Sequence, residues 1–182
     1  LGSPVTSKGT EIRRDQIQPT KEESVTSRAD FSAQEWAILG NAPLAAAAAV
    51  ALSDPGHGNR ESDAIISAWQ DGAVLYQNYI FIRDLIIDFD PERPRFTTPP
   101  PKIEAVTILE EATQLCQQAI KLLSSRASEE EYQAYSDFVV HIATKVAEAA
   151  GSGFLNLGGP AVSLNEQTTL RSIRIALDPN LV

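Results

Sequence analysis

Between Glu61 and Phe89 the chain runs without a proline, and its apolar positions become denser along the way. Ile65, Ile66, Trp69, Ala73 and Tyr76 recur at three- and four-residue steps, the period of an amphipathic helix. Further on, Tyr79, Ile80, Phe81, Ile82, Leu85, Ile86, Ile87 and Phe89 are apolar on nearly every side. The change predicts one long helix over 61–89 that starts at a surface and runs into the middle of a bundle.

The remaining segments fit around such a helix. Ser32-Ala33-Gln34-Glu35 is a capping box, with Phe31 and Trp36 placed as a hydrophobic staple. It predicts a short helix to about Leu39, ended by Gly40, and a second helix from Asn41 and Pro43 to about Leu52. Pro91 to Pro101 (PERPRFTTPPP) reads as a stiff extended connector. Ile103 to about Ser125 carries Val106, Leu109, Ala112, Leu115, Cys116, Ala119, Ile120 and Leu123 on one side of a helix. Ser128 to Glu131 and Ser163 to Glu166 are two more capping boxes, each opening an amphipathic helix. The glycine-rich loop 151–162 lies between those helices, and no stretch alternates as a strand does. The fold class expected is all-α: a bundle of about six helices around a long central helix, in one domain over 31–182. Residues 1–30 lack an apolar period and are expected to form an N-terminal tail or arm.

Charge changes what the bundle can meet. The net charge is −9, and residues 1–30 contribute none of it. Between Glu61 and Asp90 six acids face one base, Arg83. Phosphate-backbone recognition needs clustered Lys and Arg, so no nucleic-acid partner is expected. The apolar run LAAAAAVAL is too short for a bilayer, so no membrane span is expected. The single Cys116 sits on an apolar helical face, which suggests a buried structural thiol and a reducing, cytoplasmic setting.

Two stretches share a layout: AAAAAVALSDPGHGNRESDAIISAW and HIATKVAEAAGSGFLNLGGPAVSLNEQTTLRSIRIAL. In each, a small-residue helix is followed by a glycine-containing loop and an apolar helix entered near a Glu. The layout resembles the all-helical TerB-like family associated with tellurite resistance, over about Pro43 to Leu177. The first loop carries Asp54-Pro55-Gly56 where the family has Asp-Gly, and the second loop has no Asp. The resemblance implies a stress-related role and metal binding through acidic residues near the loops. By position, Asp54 and Glu61 carry that implication, with Glu166 as the second-repeat counterpart.

From the residues themselves, two sets can hold a divalent cation. Asp54, His57, Asn59 and Glu61 lie within eight residues, and a turn can fold their oxygens around a hard ion. The bland alternative is a turn followed by a helix cap. Asp84 and Asp88, and likewise Asp137 and His141, are four apart, so each pair shares a helical face. Four ligands converge if those two helices are neighbours. Trp69, Tyr76 and Phe138 are a third candidate, as the lining of a small-molecule pocket, with a solid core as the alternative. No phosphate-binding Gly-x-x-x-x-Gly-Lys or Gly-x-Ser-x-Gly elbow is present, and two histidines leave few bases for a triad. The expectation is a non-enzymatic helical module that binds a protein partner or self-associates. The alternative is a metal-binding sensor or metal-dependent enzyme.

Overall fold

The computed structural model describes residues 25–54, 59–89, 91, 105–151, 162–178 and 180. They form α1 (Ala33–Ala51), α2 (Asn59–Leu75), α3 (Ile80–Asp88), α4 (Ala105–Leu123), α5 (Glu129–Gly151) and α6 (Leu164–Leu177). A 3-10 turn (Arg28–Asp30) precedes α1, and there is no strand among the described residues. The fold is all-α, as the periodicity predicts. Its six helices are nevertheless not the six expected, because one expected break is missing and one expected helix is broken.

The missing break lies in α1, which runs straight through Gly40 and Pro43. Gly40 is not a helix end. A β-carbon there would collide with the ring of Phe89, so the glycine is a notch that lets that ring lie on the helix backbone. Pro43 has no N–H to give to the carbonyl four residues back, a defect that ordinarily breaks or kinks a helix. That carbonyl belongs to Leu39, and the hydroxyl of Tyr135 on α5 donates to it at 2.7 Å. A tertiary hydrogen bond thus replaces the lost helical one.

The new break divides the expected rod over 61–89. α2 stops at Leu75, a turn follows, and α3 restarts after Tyr79, whose backbone is extended (φ −95°, ψ 102°). A change of phase explains it. The inner face of α2 is Ile65, Ala68, Trp69, Gly72 and Tyr76. Continued at 3.6 residues per turn, that face would next centre on Tyr79 and Arg83, with Ile86 and Ile87 at its two flanks. The larger apolar set, Phe81, Ile82, Leu85 and Ile86, is centred about a third of a turn away. Burying both sets requires the chain to turn, and those four side chains are buried. Two indoles hold the end of α3. Trp69 Nε1 donates to the Ile86 carbonyl at 3.0 Å, and Trp36 Nε1 to Asp88 Oδ2 at 2.9 Å. Both acceptors lie in the last turn, and the Ile86 carbonyl is one of those that lack a helical partner there.

The centre of the bundle is therefore not 61–89 but the pair α1 and α5. α1 packs on α4 and α5, α2 lies against α5, and α6 bridges α4 and α5. On α5 the buried positions fall in adjacent pairs one turn apart, Ala134/Tyr135, Phe138/Val139, Ile142/Ala143 and Val146/Ala147. A stripe two residues wide faces neighbours on both sides. On α1 four of the nine buried residues are alanine (Ala42, Ala46, Ala47, Ala49), which admits close helix contact. Cys116 is buried as expected, and burial pushes its thiol up to about 12.

All three capping boxes form. Glu35 accepts from Ser32 N at 2.8 Å, Glu131 from Ser128 N at 2.9 Å, and Glu166 from Ser163 N at 2.7 Å. The staple forms too, with the Phe31 and Trp36 rings 5.9 Å apart. Two of these carboxylates also dock the end of the expected arm. Glu131 accepts from both the amide and the hydroxyl of Thr26 at 2.8 Å. Arg126 grips Glu35 through two N–H groups at 2.6 and 3.0 Å and the Asp30 carbonyl at 2.9 Å. Residues 25–30 thus belong to the folded unit, and residues 1–24 lie outside those described.

Burial raises the Glu131 pKa, but hydrogen bonds from Ser128 and Thr26 outweigh it and the net shift is downward. Glu131→Gln keeps the size and loses an acceptor oxygen. It is expected to lower stability by about 1 kcal/mol in urea unfolding. An unchanged midpoint would show that Thr26 does not depend on it. The Arg126 hydrogen bond, followed by the Ser32 bonds, holds Glu35 down at about 2. Its contribution is present above the ordinary value of 4.5 and is lost as pH falls toward about 2.

Candidate functional site

At the α2–α3 corner, aliphatic side chains stand in water. Val74 is 67% exposed, Leu75 60%, Ile80 37% and Ile87 52%. The outer face of α2 presents Gln70 and Asp71, then one turn later Val74 and Leu75. α3 buries its other side, so its outer side carries Ile80, Arg83 and Ile87. The same phase change that breaks the rod leaves these residues outside. Sequence reading placed Ile80 and Ile87 in the densely apolar half of one helix running into the bundle, and left Val74 and Leu75 out of its apolar face. The signal it passed over was Arg83, which falls on the inner face of any continuous helix.

Carboxylates surround the corner. Tyr79 donates to Glu130 Oε1 at 3.1 Å, which fixes that acid beside the turn. Burial, then Asp137, then Tyr79 push the Tyr76 phenol up. The Glu130 hydrogen bond does the same to Tyr79, with Asp137 and Glu131 adding to it. Two cations stand along α3: Arg83 lies 3.7 Å from Asp84, and Arg28 lies 3.6 Å from Asp88.

The expected metal ligands are scattered. Asp88 accepts from Trp36 and lies 3.6 Å from Arg28. Those partners offset an anion at a helix C-terminus, where the macrodipole disfavours it. Asp84 stands beside Arg83. Asp137 is exposed on α5 and lines a groove toward α6. His141, one turn further on, faces Asp71, Lys145 and Glu148. Convergence of Asp84, Asp88, Asp137 and His141 is conditional on their helices being neighbours, and each of the four has other surroundings here. Among the described residues no three His, Cys, Asp or Glu side chains gather as ligands. The physical reason is the α2–α3 break, which turns α3 toward α1 and the 3-10 turn instead of along α5. In the other set, Asp54 accepts from Asn165 Nδ2 at 2.8 Å, while His57 and the Glu61 side chain lie outside the described residues. Glu166 is buried and committed to its cap.

The aromatic trio is in mutual contact. Trp69 and Tyr76 each meet Phe138 edge to face at 5.5 Å, and the rings fill the space between them. The groove between α5 and α6 holds about 230 Å³ and is lined by Val140, Leu177, Asp137, Arg174 and Asp178. It is smaller than ordinary small-molecule sites, which run from about 300 Å³ upward.

His141 Nε2 and Thr144 Oγ1 are buried without hydrogen-bond partners. Burial and then Lys145 hold the His141 pKa below 6.5, against Asp71 and Glu148. The unfolded chain therefore binds the proton more readily. Stability is complete above about 6.5 and is lost as pH falls through the lower folded value. His141→Leu is expected to flatten the fall in melting temperature between about pH 7 and about pH 5. Equal slopes in the two proteins would contradict it.

Comparison of the chain with protein-family models, curated proteins and solved structures finds no match in any of the three. No helix among the described residues is long and apolar enough to cross a membrane.

Proposed function

We propose that this chain is a non-enzymatic helical module that acts by binding another protein or by self-association. The observation that carries the reading is the exposure of Val74 and Leu75 at the end of α2 and of Ile80 and Ile87 on α3, four of the eight large aliphatic residues exposed among those described. Single exposed aliphatic residues are ordinary on protein surfaces. Four on two consecutive helices, with carboxylates among them, are the pattern of an interaction site. The TerB-like layout belongs to the same proposal.

Size-exclusion chromatography with light scattering, together with affinity pull-down, tests the reading. The native chain is expected to assemble or to retain a partner, and Leu75→Ser with Ile87→Ser to abolish it. A strict monomer that retains nothing contradicts the proposal.

A further inference from the structure

The corner also has a length, a shape and a sign. Ile80 and Ile87 are seven residues apart on the outer side of α3, a separation of about 10 Å along the axis. Val74 and Leu75, at the end of α2 on the other side of the turn, are exposed as well. An apolar line of two turns along a helix, with no strand among the described residues, matches the stripe of another helix. Asp71, Glu130 and Asp137 are exposed around it. Asp84 lies between the two isoleucines, and the Arg83 guanidinium beside it is already near that carboxylate. Building on the binding reading above, we infer that the α2–α3 corner docks a basic amphipathic helix, its apolar stripe along Val74, Leu75, Ile80 and Ile87 and its Lys or Arg side chains against the flanking carboxylates. A second copy of the chain is a poor occupant. A two-fold contact would set this acidic rim against itself, between molecules that each carry −9.

Fluorescence anisotropy with the full chain and synthetic labelled peptides tests this. The probe is an amphipathic leucine–lysine helix of about 18 residues, five turns. Two controls share its length: the same composition scrambled to remove the apolar stripe, and a leucine–glutamate version. The amphipathic basic peptide is expected to bind about tenfold or more tightly than either control. Leu75→Ser with Ile87→Ser weakens it by about tenfold or more, since two apolar contacts are lost. Val74→Ser weakens it in the same direction, whereas Leu164→Ser, at an exposed aliphatic residue on α6, leaves it unchanged. Asp71→Asn with Asp84→Asn weakens binding and flattens its salt dependence. Equal binding of the scrambled peptide, or indifference to the strip substitutions, overturns the inference. If the peptide fails while light scattering shows a dimer that Leu75→Ser with Ile87→Ser dissolves, the occupant is a second copy. The inference then falls and the binding reading stands. If both assays are negative, both fall.

Discussion

Truncating Phe138 to alanine is expected to lower the unfolding free energy by about 3–5 kcal/mol. Its ring is fully buried and receives the edges of Trp69 and Tyr76 at 5.5 Å. It also rests against the backbone of α2 where there is no side chain: a β-carbon on Gly72 would lie 2.6 Å from Phe138 Cε2. The surrounding aromatics cannot collapse into the hole that alanine leaves, so most of the cavity penalty remains. The notch supplies a companion test. Alanine is favoured over glycine within a helix by about 1 kcal/mol. Gly72→Ala should nevertheless destabilise the native chain, because overpacking a rigid ring costs about 1–3 kcal/mol. In a Phe138→Leu background the clash is relieved, and Gly72→Ala should become neutral or stabilising. Urea unfolding of the four proteins reads both effects. A Gly72→Ala change that behaves alike in the two backgrounds would separate the notch from the ring.

Tyr135→Phe is the second large effect, at about 1–3 kcal/mol for the loss of one hydroxyl. The size follows from the partner. Pro43 gives the Leu39 carbonyl no N–H, so removing the Tyr135 hydroxyl strands a buried acceptor. Desolvation makes that hydroxyl hard to ionise, and its pKa stands well above the ordinary tyrosine value. Pro43→Ala restores a main-chain donor four residues from Leu39. In that background Tyr135→Phe should cost much less. A double-mutant cycle measures the difference, and strictly additive changes would remove the link between α1 and α5 drawn here.

These two sites show where reading the chain from its sequence succeeds and where it stops. Signals confined to four or five neighbouring residues are borne out. The capping boxes at Ser32, Ser128 and Ser163 form, as does the Phe31–Trp36 staple. Gly40 and Pro43 mislead, because what neutralises them comes from far along the chain. The Phe89 ring fills the notch at one, and Tyr135, 96 residues from its acceptor, repairs the other. Asp88 misleads for the same reason, since its partners Trp36 and Arg28 belong to other elements. The break at the α2–α3 turn is a different kind of miss. Its signal is local, a slip of about a third of a turn between the stripe of Ile65 to Tyr76 and that of Phe81 to Ile86. Density of apolar residues hid it, because a segment apolar on nearly every side shows no preferred face. The same density hid the exposed strip, which is what remains when one of two competing faces is buried.

Hydrogen exchange followed by mass spectrometry on the native chain tests the central claim, that α5 against α1 is the heart of the bundle and that α2 and α3 meet at a turn. The slowest amides are expected in 134–147 and in 36–50, with fast exchange at 76–80 separating two protected helices. The contradictory result is one unbroken slow block over 61–89, exchanging more slowly than α5.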